Sequence, residues 1–220
     1  MSVGLDPGAA EARIAFLLTL RSKGLRDTRV LGAFETVPRA RFVPQRYVDL
    51  ALTDVSLPLA CGQTTLAPSV MAEMITALEL KPEHRVLEIG AGSGYGAAIL
   101  ARLAKEVVSL ERYRSLAIEA QARLRAQGVE NAVVHLADGR LGWPEGAPYD
   151  RILIHAAVEK LPPALVSQLA PTGRIIAVER GGGRSSLSRF THGTGLSDMV
   201  RVTLAPLSLP LLMEGVAESL

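Results

Sequence analysis

With a single cysteine, Cys61, in 220 residues, the chain cannot close an internal disulfide or assemble a multi-cysteine metal site, so a reducing compartment is the default. Cys61 itself reads as a small buried residue. Charge of one sign is also missing: the formal net charge is only +2, and the basic residues are scattered apart from a loose cluster at Arg39, Arg41 and Arg46. Without a basic stripe, nucleic acid is not expected as a partner. No apolar run approaches the ~20 residues that span a bilayer, so a membrane is not expected as a partner either. Residues 14–20 are apolar, but residues 1–12 hold no Lys or Arg, and Arg21 follows where a signal peptide would need small residues. These absences predict a soluble, cytoplasmic protein. Core material is plentiful at 48% hydrophobic composition, enough for one sizeable domain.

The first third reads as helical. Residues 9–23 carry apolar side chains at helical spacing and stop at Gly24, and Asp27 can cap a second helix carrying Val30, Leu31 and Phe34. Pro38, Pro44 and Pro58 then break the chain into loops, up to Pro68, which suits the first turn of a helix burying Val70, Met71, Met74, Ile75 and Leu78. From residue 85 the pattern alternates, with strands at 85–89, 106–110, 132–136, 149–155 and 174–178. Helices are expected at 94–103, 113–127 and 162–169. That rhythm predicts an α/β fold with a doubly wound, mostly parallel sheet. The end departs from it: 186–191 and 198–204 flank His192-Gly193-Thr194-Gly195 as an antiparallel hairpin on the sheet edge. Gly181, Gly182 and Gly183 read as a flexible connection, since no helix follows them.

The chemistry concentrates at Val86-Leu87-Glu88-Ile89-Gly90-Ala91-Gly92-Ser93-Gly94-Tyr95, a short strand that ends in a carboxylate and runs into alternating glycines. Glycines at a strand-to-helix turn remove Cβ atoms, so a nucleotide-type ligand can lie against the backbone. Two more acids fall where strands should end: Glu111, 21 residues after Gly90, and Asp138 in Ala137-Asp138-Gly139. Gly92, Gly94 and Ala97 also fit the G-x-G-x-x-A fingerprint of nicotinamide enzymes, with Glu111 as the ribose acid. The acid before the glycines and the Asp-Gly after the third strand are what that fingerprint leaves unexplained. His84, His135 and His192 have no ligand-like spacing, so no metal is expected, and Trp143 reads as packing.

With those two acids in place, the sequence resembles class I S-adenosylmethionine-dependent methyltransferases. The resemblance implies cofactor contacts from Glu88, Ile89, Gly90, Ala91, Gly92, Ser93, Gly94, Glu111, Arg112, Asp138 and Gly139. Glu111 would take the ribose hydroxyls, Asp138 the adenine amino group, and Glu88 with the backbone of residues 90–94 the methionine portion. S-adenosyl-L-homocysteine would be the product. Further pieces cover nearly the whole chain: Lys23-Gly24-Leu25-Arg26-Asp27, Val37-Pro38-Arg39, Phe42-Val43-Pro44, Gly62-Gln63-Thr64, Ala67-Pro68, Gly142-Trp143-Pro144, Leu161-Pro162-Pro163 and residues 169–174. Together they are similar to the protein-L-isoaspartate O-methyltransferase family. That implies methylation of isoaspartyl side-chain carboxylates in damaged proteins, with residues 1–80 as a helical and substrate-loop region packed on a methyltransferase core at 81–220.

One position departs from the family. Its substrate loop usually reads G-Q-T, an apolar residue, then a serine whose hydroxyl is thought to contact the isoaspartyl carboxylate; here that position is Leu66. Thr64 or Thr65 can replace the hydroxyl, although Thr65 would need a local register change, since neighbours in an extended segment face opposite sides. A different acceptor, or a cofactor-binding protein without isoaspartyl activity, stays open. A second departure is His155 at the end of the fourth strand, where the family has a small or hydroxyl residue. It is read either as hydrogen-bonded to loop backbone or as a group that orients or deprotonates a substrate. The sequence leaves the oligomeric state open, and whether the tail after Pro206 covers the site.

Overall fold

Seven strands form one sheet: β1 (Arg85–Ile89), β2 (Glu106–Glu111), β3 (Ala132–Leu136), β4 (Tyr149–Val158), β5 (Leu169–Gly181), β6 (Arg184–His192) and β7 (Met199–Pro206). Their order is β3-β2-β1-β4-β5-β6-β7 in the computed structural model, which describes residues 7–195 and 198–217. The first five run parallel and the last two antiparallel, so the α/β sheet and its C-terminal hairpin stand as expected. Residues 196–197, between β6 and β7 in the chain, lie outside the described residues. Because β1 is flanked by β2 on one side and β4 on the other, the winding reverses between β1 and β4. Ligands of such sheets bind in the crevice that opens there.

The triple glycine is a tight turn rather than a flexible connection. Gly181 pairs with Arg184, and the two residues between them, Gly182 and Gly183, have φ of 58° and 74°. A two-residue hairpin loop with both φ positive is a type I′ turn, which glycine adopts without steric cost.

Helices α1 (Pro7–Ser22), α2 (Thr28–Thr36), α3 (Pro68–Ala77), α4 (Tyr95–Ala101) and α5 (Arg114–Ala126) contribute side chains to one sheet face; α6 (Pro163–Ser167) serves the other. Asp27 caps α2 by accepting from the Arg29 and Val30 backbone N–H groups, and Pro68 opens α3 as expected. One apolar cluster joins Phe16, Leu20, Phe34, Met74 and Ile99 to Val86, Val107 and Leu153 of the sheet. A second lies on the opposite face around Leu87, Ile152, Ile175 and Leu165.

Most elements differ in bounds from the periodicity, β5 most of all: expected at 174–178, it runs Leu169–Gly181. Helix α4 is seven residues long, entered from Gly94 at φ 86°. Helix α6 ends at Ser167 because Gln168 turns inward, donating to the Leu141 carbonyl and accepting from the Trp143 N–H. Strand β4 runs three residues beyond His155, where its register against β5 shifts between Leu153 and Ala157. Those extra residues are held from far along the chain: the Ala157 N–H donates to the Pro210 carbonyl at 2.7 Å, and its carbonyl accepts from Leu212 at 2.8 Å.

Candidate active site

Strand register explains why the chemistry gathers on one face. Glu88 of β1 is directly opposite Ser109 of β2 and Leu153 of β4. Side chains alternate along a strand, so Glu111 and His155, each two residues further on, share the face of Glu88. The side chains meet there. Glu88 is completely buried; its Oε2 accepts from the Ser109 hydroxyl at 2.5 Å, and its Oε1 lies 2.9 Å from His155 Nε2. His155 is itself 92% buried at the side chain, and its Nδ1 has no hydrogen-bond partner. The partner of His155 is thus a carboxylate, not the loop backbone. Gly96 of α4 makes room for the pair, because a Cβ there would come within 2.2 Å of Glu88 Oε1.

The glycine loop is tied to the end of β2. Glu111 accepts from the Gly92 N–H at 2.8 Å on Oε2 and from the Tyr113 N–H at 3.0 Å on Oε1. Each oxygen keeps a lone pair for a further donor. Ser93 is buried and accepts from the Tyr95 N–H. Ala137 and Gly139 line the crevice beyond β3, and Gly139 packs so closely that a Cβ would lie 2.3 Å from Ile89. Asp138 between them is half-buried: Oδ1 accepts from Arg140 N–H and Oδ2 from Gly215 N–H, both at 2.8 Å.

The opposite wall is built from loops. Residues 57–65 fold back on themselves, with Leu59 N–H donating to Gln63 and Thr65 N–H to Leu57. Arg39, read from sequence only as part of a loose basic cluster, is 2% exposed and organises this loop. Its guanidinium donates to the carbonyls of Ala51, Thr53 and Val55 and to the Thr65 hydroxyl. Burial pushes its pKa down, with Tyr95 and Asp54 opposing. The Thr65 hydroxyl also accepts from the Leu57 N–H at 3.0 Å, so both its lone pairs are used inside the loop. Thr64 is exposed, and Leu66 is partly buried against the main core. Cys61, expected to be buried, is half-exposed at φ 60° with Sγ 3.2 Å from the Ser115 hydroxyl.

The tail closes the third side. Residues 208–213 line a cavity of about 460 Å³ with Thr64, Thr65, Leu66, Gly90, Glu111, Arg112 and His155. An adjoining space of about 100 Å³ reaches from the same loop residues to Glu88, Gly92, Ser93 and Gly96. Beyond it, Arg112 donates to the Glu214 carbonyl and Ala217 N–H to the Arg112 carbonyl. A larger cavity of about 900 Å³, beside Leu161, Phe190 and Met199, includes none of Glu88, Glu111 or Asp138. Trp143 stacks on His135 at 4.0 Å, away from the crevice-lining residues, so packing is its role. Among the described residues, no group of three or more His, Cys, Asp or Glu could hold a metal ion, and no helix is long and apolar enough to cross a membrane.

Residues 11–203 match the family model of protein-L-isoaspartate(D-aspartate) O-methyltransferases. A protein-L-isoaspartate O-methyltransferase from Xanthobacter autotrophicus is 49% identical over 176 residues, 80% of each chain. The chain belongs to this family. A solved protein-L-isoaspartate O-methyltransferase structure superposes with a TM-score of 0.81 at 28% identity, covering 93% of this chain and 67% of that one. The fold is shared as well with a Plasmodium falciparum structure described as a beta-aspartate methyltransferase, which holds S-adenosyl-L-homocysteine (TM-score 0.77, 21% identity, 90% and 97% covered). As a member of the isoaspartate methyltransferase family, the chain is an S-adenosylmethionine-dependent methyltransferase.

The residues present fit that cofactor. Glu111 has acceptor capacity to spare beside the Gly92 backbone, Gly90 and Gly139 remove bulk from the walls, and the volume lies in the range of small-molecule sites. Sequence reading missed Arg39 as a loop organiser and Ser109 and Gly96 as partners of Glu88, and left open whether the tail covers the site. Gly96 had a signal, a further glycine just past the motif. A buried serine inside β2 has none, since polarity on one strand says nothing of its neighbour's register.

Proposed function

We propose that this chain transfers the methyl group of S-adenosylmethionine to the free carboxylate of isoaspartyl residues in damaged proteins and peptides. The observation that carries the reading is the convergence of Glu88, Glu111 and the glycine loop on a cavity whose other walls are the Thr64–Leu66 loop and residues 208–213. A site with one wall of strand-end acids and another of extended backbone suits a small nucleoside donor facing a peptide. The single unpaired cysteine suits work in the cytoplasm.

When bound, S-adenosylmethionine supplies a methyl group on a sulfonium, which a carboxylate oxygen displaces in line to leave a neutral thioether. The nucleophile is already ionised at pH 7, so the chain has no proton to remove and must position and desolvate instead. Glu111, with Arg112 beside it, holds the ribose end. The backbone of residues 90–94 and Gly139 shape the cradle, Ile89 packs beneath Gly139, and Asp138 acts near the adenine while anchoring the tail through Gly215. The apolar tail residues Leu209, Leu211 and Leu212 exclude water.

The test is methyl incorporation from labelled S-adenosylmethionine into an isoaspartyl peptide, with the aspartyl peptide of the same sequence as control. Incorporation confined to the isoaspartyl peptide supports the proposal. Binding of S-adenosyl-L-homocysteine without incorporation sinks it and favours a second reading, motivated by Leu66, in which another acceptor is used or isoaspartyl activity is lost.

A further inference from the structure

We infer that Tyr95 and Thr65, with the buried Arg39 behind them, form a binding site for a carboxylate in the smaller of the two adjoining spaces. Two groups in the reaction carry a carboxylate, the methionine end of the cofactor and the isoaspartyl acceptor. The first source rests only on the methyl donor, the second on the proposed function.

That space is bordered by two hydroxyls whose hydrogens have no acceptor. Tyr95 of α4 is 3% exposed, yet its Oη has no hydrogen-bond partner, although a buried tyrosine ordinarily finds one. Its ring is fixed against Phe34 and Phe42. Burial pushes its pKa up, with Arg39 opposing, so the hydroxyl keeps its proton. Thr65 is a donor for a different reason. Its oxygen already accepts from Arg39 and from the Leu57 N–H; with both lone pairs filled the hydroxyl can only donate, and no described residue takes that hydrogen.

Arg39 adds a charge. Its guanidinium is satisfied by three carbonyls and Thr65, but among the described residues no Asp or Glu lies within ion-pair distance of it. Buried charges are ordinarily paired. Asp54 acts on it from further off while accepting from the Ser69 N–H, and Glu88, which also lines the space, is engaged with Ser109 and His155. A water molecule would satisfy either hydroxyl but leave the charge unbalanced. A carboxylate answers all three groups, accepting from Tyr95 and Thr65 and drawing on the cation through Thr65. The outer space has donors of its own, Thr64 and a buried, unpartnered Arg112 Nε, but Arg112 does not line the inner one.

The experiment is calorimetric, on the full chain, with two pairs of probes. One pair is S-adenosyl-L-homocysteine and its decarboxylated analogue. The other, measured at saturating S-adenosyl-L-homocysteine, is an isoaspartyl hexapeptide and the same peptide with the free carboxylate converted to a neutral amide. Tyr95→Phe and Thr65→Val each delete one hydroxyl. For one pair, wild type should prefer the carboxylate, and both variants should cut that preference about tenfold or more, the size of a hydrogen bond to a charged group. The member lacking the carboxylate should bind within about threefold of wild type. Thr65→Ser, which keeps the hydroxyl, should retain the preference. Tyr95→Phe breaks no bond within the protein, so a lost preference there has no structural explanation. The affected pair names the occupant, cofactor or acceptor. Unchanged preference in both pairs, equal loss for both members of a pair, or an effect from only one variant overturns the inference. If wild type methylates no isoaspartyl peptide, the proposed function fails, and the cofactor pair alone decides the site.

Discussion

The two walls of the cavity are built by different means. On the strand-end wall, Glu88 and Glu111 occupy consecutive parallel strands, and their positions follow from sheet register and short backbone hydrogen bonds. The loop wall has no such frame. Its segment from 56 to 66 is held by a buried arginine from residue 39, and its tail from 208 to 217 is pinned to Ala157, Asp138 and Arg112. A donor common to many methyltransferases can be bound by regular structure. An acceptor particular to one family needs surfaces assembled from remote pieces.

If that division holds, damage to one wall should leave the other working. The largest effect is expected at Arg39. Arg39→Met removes four hydrogen bonds and strands buried carbonyls, which should lower stability by about 3 kcal/mol in urea unfolding. In the fraction that remains folded, the KM for isoaspartyl peptide should rise about tenfold or more while S-adenosyl-L-homocysteine binds within about threefold of wild type. Equal loss of both ligands would break the comparison. Glu111→Gln is the converse. It keeps the shape but weakens the bonds to Gly92 and Tyr113 and to the proposed ribose, so S-adenosyl-L-homocysteine affinity should fall about thirty- to a hundredfold by calorimetry. At saturating cofactor the peptide KM should hardly move. Leu66→Ser should raise isoaspartyl methylation by about tenfold, read as kcat/KM, with cofactor affinity unchanged. An unchanged rate would mean that Leu66 is not what limits the loop wall.

The same division decides what could be read beforehand. Strands β1 and β3 match their expected bounds residue for residue, and the acids at the ends of β1 and β2 stand where alternation put them, because hydrophobic period and glycine punctuation are local signals. The last three residues of β4 were not legible: Ala156, Ala157 and Val158 show no alternation, and Ala157 bonds with Pro210 and Leu212, some fifty residues away. The place of Arg39 was not legible for a related reason. Nothing in Pro38-Arg39-Ala40 says that three carbonyls at 51, 53 and 55 will surround the guanidinium, whereas exposure is the ordinary fate of an arginine. The Glu88–His155 pair required both strand order and register. His155 could be named as a departure, but its partner could not.

The smallest prediction is a control at the far edge of the sheet. Glu79, just past α3, forms a two-pronged pair with Arg174 at 2.8 and 3.0 Å and has Arg189 at 3.8 Å. Hydrogen bonds from Arg174, with the positive charges around it, hold its carboxyl below the ordinary 4.5, against an opposing contribution from burial. A carboxyl with a depressed folded-state pKa stabilises above its unfolded value and loses that contribution as pH falls through the folded one. Glu79→Gln should therefore be less stable than wild type at pH 7. The side chain is 63% exposed, so solvent screening limits the difference to a few tenths of a kcal/mol, about 1 at most. The two unfolding curves should converge as pH drops from about 5 to below 4. Peptide and cofactor affinities should both stay at wild-type values at pH 7, because Glu79 lines neither space. If this mild destabilisation shifts peptide binding while sparing the cofactor, the selective loss expected of Arg39→Met reflects a generally fragile loop wall and not a specific scaffold.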